Sequence, residues 1–150
     1  MASIMKSLNS ISRCQSIYRT EALNARVGCE LQACHHTFVL AICRAPGRSQ
    51  EELAHDICLN KSTVARALTQ LEERGYVLRK PNPNDKRELL VYPTDKMLAV
   101  LPTVRDIASR WNTLITRDIS EEELAVFHDV LLRIEKSARE LVGGEGGRVE

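Results

Sequence analysis

What this chain lacks narrows its identity first. Its net charge is only +1 over 150 residues, so charge alone gives no general argument for a nucleic-acid or membrane partner. It has no long apolar run. The longest, FVLAIC at 38–43, is six residues, against the roughly 20 that a membrane span needs. The opening MASIMKSLNSISRCQ is broken by polar residues too often to read as a signal peptide, so a cytoplasmic location is expected. Five cysteines (Cys14, Cys29, Cys34, Cys43 and Cys58) are an odd number without close pairs, which argues against a disulfide framework and for reduced thiols. With four histidines and no G-x-S-x-G, H-E-x-x-H or phosphate loop, an enzyme reading has no reactive constellation to stand on. No internal repeat is evident.

What is present is an ordinary globular composition, 43% hydrophobic and 27% charged, in a chain long enough for one sizeable core. The charge is unevenly spread. Residues 61–87 hold seven basic against three acidic side chains, a net of +4, and residues 118–150 hold four against nine, a net of −5. That split suggests two surfaces with different work.

Apolar periodicity predicts the helices. Ile4, Leu8, Ile11, Tyr18 and Ala22 form a narrow stripe on a helix over about 3–26. Leu31, Cys34, His35, Phe38, Val39 and Ile42 make a more buried helix over 31–43, closed by Ala45-Pro46-Gly47. Ser49-Gln-Glu-Glu52 fits a capping box and opens a helix of about two turns. Asn60 caps the next, over 61–74, whose Val64, Leu68 and Leu71 share one face, with Gly75 as a left-handed terminator. Two short helices so joined are either a helix-turn-helix or a plain helical hairpin. The strand-like runs 76–78 and 89–92 around the RKPNPNDKRE turn favour the first, because a hairpin directly after the second helix is a winged-helix arrangement.

A long helix over 94–117 follows, in which Pro102 should kink the axis or delay its start. Ser120-Glu-Glu-Glu123 opens a last helix whose Leu124, Phe127, Leu131, Ile134, Ala138 and Leu141 make a seam for another helix. The terminal stripes either pack on each other within one chain or are buried together in a two-fold dimer. The expected fold class is mostly α with a small β-hairpin wing: a winged helix-turn-helix core (46–93) flanked by N- and C-terminal dimerisation helices (1–45 and 94–142), with 143–150 as a flexible tail.

The stretch SQEELAHDICLNKSTVARALTQLEERGYVLRKPNPNDKRELLVYPTDK resembles the winged-helix core of the MarR family of bacterial transcriptional regulators. Its pieces stand in order: Q-x-x-L-A, K-S-T-V-x-R, L-E-x-x-G-Y-V-x-R and D-x-R. About 48 residues match closely, and the flanking helices match in length and order. The resemblance implies a mostly helical homodimer that binds double-stranded operator DNA and represses until a ligand or oxidation releases it. No cofactor is implied.

The helix 61–74 presents Lys61, Ser62, Thr63, Arg66 and Gln70 as candidate major-groove and phosphate contacts, with Asn60 at its start. Arg66 can reach guanine O6 and N7 with its fork. The family resemblance places Arg87 of the wing in the minor groove, held by Asp85, while Lys80 and Lys86 track phosphates. A small aromatic or lipophilic ligand, also implied by the family, would draw on Arg13, Tyr18, His35, His36, Phe38 and Trp111, each of which also suits the core or the surface. Cys14 beside Arg13 is a redox candidate. No metal ligand set is expected, since 94–117 holds no histidine. The rival of a different class is a dimeric winged-helix module that binds protein instead of DNA.

Overall fold

The computed structural model describes residues 3–28 and 30–143. Cys29 and the tail at 144–150 lie outside the described residues, as does the expectation of flexibility placed on that tail. Helix α1 (Ile4–Val27) is followed by α2 (Ala33–Arg44), a two-residue strand β1 (Arg48–Ser49), α3 (Gln50–Asp56) and α4 (Lys61–Glu73). Strands β2 (Val77–Pro81) and β3 (Leu89–Pro93) form the wing, and α5 (Asp95–Thr116) and α6 (Glu121–Gly143) complete the chain. It divides into two compact units, residues 1–111 and 112–150.

The first unit contains the buried core. Val64, Leu68 and Leu71 of α4 meet Leu53 of α3, Phe38, Val39 and Ile42 of α2, Leu23 of α1, Val91 of β3, and Met97, Val104 and Ile107 of α5. Burial of each such side chain contributes about 1.5–3 kcal/mol. The apolar face of α4 is therefore committed to the core, and its other face is free for display. The start signals read from sequence are formed. The Ser49 hydroxyl accepts from Glu52 N at 3.2 Å and the Glu52 carboxylate from Ser49 N at 2.8 Å. Gly75 takes φ +74 just past α4.

The sheet differs from the expected two-stranded hairpin. It has three antiparallel strands in the order β1-β3-β2, with Arg48 opposite Val91 and Ser49 opposite Leu90. Gly47 turns the chain into β1 with φ +84, and its N–H donates to Val91 O at 2.8 Å. A side chain there would meet the Tyr92 ring at 3.2 Å. Pro102 does not delay α5, which runs unbroken from Asp95. Cys34 and Cys58 are exposed, and Cys43 is half-buried. Cys58 itself makes the left-handed step (φ +53) in the turn between α3 and α4.

The second unit holds the end of α5 and the whole of α6. Its helix start is again a capping box, Ser120 Oγ accepting from Glu123 N at 3.2 Å and the Glu123 carboxylate from Ser120 N at 3.0 Å. Ion pairs one turn apart, such as Arg139 with Glu135 at 2.8 Å, line its polar side. No described α6 residue is fully buried, and Phe127 remains 55% and Leu141 79% exposed.

Candidate nucleic-acid interface

The start of α4 is built by Asn60. Its Oδ1 accepts the Thr63 backbone N–H and the Ser62 hydroxyl, each at 2.8 Å. That cap satisfies one of the free donors at the helix start, leaving other N–H groups and the positive dipole end available to an anion. Lys61, Ser62, Thr63 and Arg66 are exposed. Lys61 is not idle: its ammonium pairs with Glu51 of α3 at 2.6 Å, a contact between two exposed groups and therefore a weak one. Arg66 makes no hydrogen bond or ion pair among the described residues.

Gln70 stands apart from this group. It is half-buried, and its side-chain oxygen faces His35 Nε2 at 3.2 Å. It is on the same helical face as Arg66, but its side-chain oxygen is already engaged within the fold.

The wing tip is a compact turn. Asn82 N donates to Glu88 O at 2.9 Å, its side-chain amide donates to the Glu88 carboxylate at 2.6 Å, and its Oδ1 accepts Asn84 N at 3.0 Å. Asp85 accepts the backbone N–H of Arg87 at 2.9 Å. The acid thus shapes the loop, in the manner of an Asx turn, and does not hold the guanidinium. Lys86 and Arg87 are exposed, with no side-chain partner among the described residues. Lys80 lies over the Tyr92 ring at 5.4 Å. At the base of the wing, Arg79 Nε donates to Glu72 at 2.9 Å, holding that carboxyl below its ordinary range and tying β2 to α4.

The ligand candidates are dispersed. Arg13 is exposed on α1, as is Cys14. Tyr18 and Trp111 pack ring to ring at 5.3 Å. Phe38, His35 and His36 are buried. His36 Nε2 donates to Val104 O at 3.0 Å, while its Nδ1 is buried without a partner among the described residues. Burial, followed by the charge of Arg19, lowers the His36 pKa to about 4. Arg19 was not singled out from sequence. Its Nε is likewise buried without a hydrogen-bond partner among the described residues, and burial depresses its pKa. Its only sequence signal is its place beside Tyr18 on an apolar stripe. A second group also escaped sequence reasoning. Tyr76 donates its hydroxyl to Glu30 at 2.9 Å, and Lys96 reaches the same carboxylate at 2.7 Å. Buried Tyr76 is pushed up to about 12 by desolvation and by Glu30.

Among the described residues, no cluster of three or more His, Cys, Asp or Glu side chains gathers to hold a metal, and no helix is long and apolar enough to cross a membrane.

The sequence model of the MarR family matches residues 36–89. The uncharacterised HTH-type transcriptional regulator YybA of Bacillus subtilis is 28% identical over 102 residues, 68% of this chain and 68% of that protein. The solved structure of the transcriptional regulator SlyA aligns with a TM-score of 0.84 at 27% identity, covering 93% of this chain and 96% of that one. A MarR-family regulator from Listeria monocytogenes, solved with 26mer DNA, shares the fold with a TM-score of 0.89 at 22% identity, over 100% of this chain and 99% of that one.

Proposed function

Because the chain belongs to the MarR family of DNA-binding, winged-helix transcriptional regulators, we propose that it is a homodimeric, ligand-responsive repressor acting on a pseudo-palindromic operator. The observation that carries this reading is the pair of exposed guanidiniums, Arg66 on α4 and Arg87 at the wing tip, that have no partner among the described residues. In this reading α4 enters the major groove by its N-terminus. Asn60, Ser62 and Thr63 meet phosphate and base edges, and Arg66 forks onto a guanine. Arg87 enters the adjacent minor groove, where narrow A·T-rich sequence concentrates negative potential. Lys61, Lys80 and Lys86 add salt-dependent affinity to phosphates. Gln70 is left out of the base-reading set, since it is half-buried and its side-chain oxygen is held by His35.

The exposed apolar stripes of α1 (Ile4, Ile11) and α6 (Phe127, Leu141) support the homodimer. Two recognition helices about 34 Å apart would then read two half-sites. Arg19 Nε and His36 Nδ1, a buried donor and acceptor with no hydrogen-bond partner among the described residues, support a small ligand that carries an anionic or hydroxyl group on an aromatic or lipophilic body.

Selection of bound sequences from random duplex DNA tests the proposal, with an Arg87→Ala control and a salt series. An inverted repeat, weakened in the control, is the expected result. Absence of binding at moderate salt, with a partner protein captured equally well by both forms, would instead establish a protein-interaction module.

A further inference from the structure

Thr63, Arg66, Gln70 and Arg74 follow one another at spacings of three, four and four, so they form a single stripe along α4 and its last turn. Its two halves have different fates. Thr63 and Arg66 are exposed. Gln70 and Arg74 are gripped by the first turn of α2 and by the connection before it: His35 holds Gln70, and the Glu30 backbone carbonyl accepts from the Arg74 guanidinium. The Glu30 carboxylate then takes the hydroxyl of Tyr76, at the exit of α4, and the ammonium of Lys96.

We propose that His35 and Glu30 are positioning residues for DNA recognition: they set the rotation of α4 about its own axis and thereby the operator preference of the chain. This rests on the DNA-binding reading above. The protonation state of His35 is assigned by its partners. Its Nδ1 accepts Gln32 N–H at 3.3 Å, so Nε2 carries the proton and donates to Gln70. His35 is fully buried, so water competes little for that bond. Hydrogen bonds to Lys96 and Tyr76 keep the Glu30 carboxyl below its ordinary range, in the charged form that accepts both.

The apolar face of α4 does not supply this control by itself. Hydrophobic contact is non-directional, so the packing of Leu68 and Leu71 opposes a slight roll of the helix less sharply than a directional bond does. A hydrogen bond weakens steeply as its angle opens, which makes the His35 and Glu30 contacts the rotational stops. Side chains reach about 5–6 Å from a helix axis, so a roll of about 20° carries a tip by about 2 Å. A bidentate fork on guanine does not survive that displacement.

The test compares wild type with His35→Leu, Gln70→Leu, Tyr76→Phe and His35→Gln. Each is measured on the selected operator, on single-base-pair variants of it and on a non-operator duplex at one salt concentration, alongside thermal unfolding. His35→Leu, Gln70→Leu and Tyr76→Phe should each lose about tenfold in the operator to non-operator ratio, with non-operator affinity unchanged. His35→Gln, whose amide can still donate to Gln70, should recover most of the ratio. The His35→Leu/Gln70→Leu double variant should be no worse than either single, because both remove one contact. A lowered melting temperature with an unchanged ratio would overturn the inference, as would equal losses on both duplexes. If His35→Leu does not fold, Gln70→Leu and Tyr76→Phe decide the matter. A wild-type protein with no operator preference would instead overturn the DNA-binding reading itself.

Discussion

The carboxylate of Asp85 accepts the backbone N–H of Arg87 at 2.9 Å and leaves the Arg87 guanidinium unpaired. The acid at the wing tip therefore organises the turn without neutralising the cation it presents. Arg87→Ala is expected to weaken operator binding by about 1–3 kcal/mol and to reduce the salt slope by about one. Asp85→Asn keeps a side-chain oxygen for the turn and should bind at least as well as wild type. Asp85→Ala, which frees the loop, should fall between. Fluorescence anisotropy across a salt series checks the order. Equal losses for the Asn and Ala forms would mean that the charge of Asp85 matters and not its turn.

Asn60 separates helix capping from DNA contact. Asn60→Ala removes the acceptor for Thr63 N and Ser62 Oγ and should cost about 1 kcal/mol of stability. Asn60→Asp keeps the cap and favours the helix dipole, so the melting temperature should hold. It places a negative charge where a phosphate is expected, so operator affinity should drop. If thermal melts and binding isotherms fall together for the Asp form, the helix start does not approach the DNA backbone.

Arg66 is the expected base reader. Arg66→Ala should cost about 1–3 kcal/mol on the operator and relax preference at one base pair per half-site, while leaving affinity for non-operator DNA nearly unchanged. Repeating the sequence selection with the variant reads this directly. A uniform loss over all sequences would assign Arg66 to phosphate contact.

Stability should rise with pH across a window set by His36. The unfolded chain takes up a proton near pH 6.5, whereas the folded pKa is lowered to about 4. The neutral, buried imidazole thus contributes its full share above about pH 6.5, and that share is lost as pH falls toward 4. The shift corresponds to about 3 kcal/mol. His36→Gln should flatten denaturation midpoints between pH 4 and 6.5. An unchanged slope in the variant would place the pH dependence on other groups, His35 first, whose pKa burial also lowers.

The exposed stripe of α6 should be the dimer contact. Phe127→Glu combined with Ile134→Glu puts charges into the seam and should give a monomer by sedimentation velocity, with operator affinity reduced to that of one half-site. A variant that stays dimeric would move the interface away from this stripe.

Much of this was legible in the chain because the signals are local. Each capping box joins residues three apart, and Asn60 and Gly75 act on backbone within a turn of themselves. The order of helices and the wing followed from periodicities of 3.6 and 2. β1 did not, since two residues carry no period and their partners Val91 and Leu90 are distant in sequence.

The candidate site divides the same way. Arg66 and Arg87 were readable, because exposure on a polar helix face or at a turn follows from local pattern. Gln70 looked the same as Arg66, and only the arrival of His35 from α2 withdraws it from the surface. The roles of Arg19 and Glu30 were likewise decided by which groups the packed core brings within reach, and those groups come from α1, α2 and α5 and from Tyr76 at the exit of α4. Short-range hydrogen bonding and apolar spacing are properties of the sequence by itself. Which polar side chain remains free for a ligand depends on long-range closure of the core, and that is settled only in the tertiary structure.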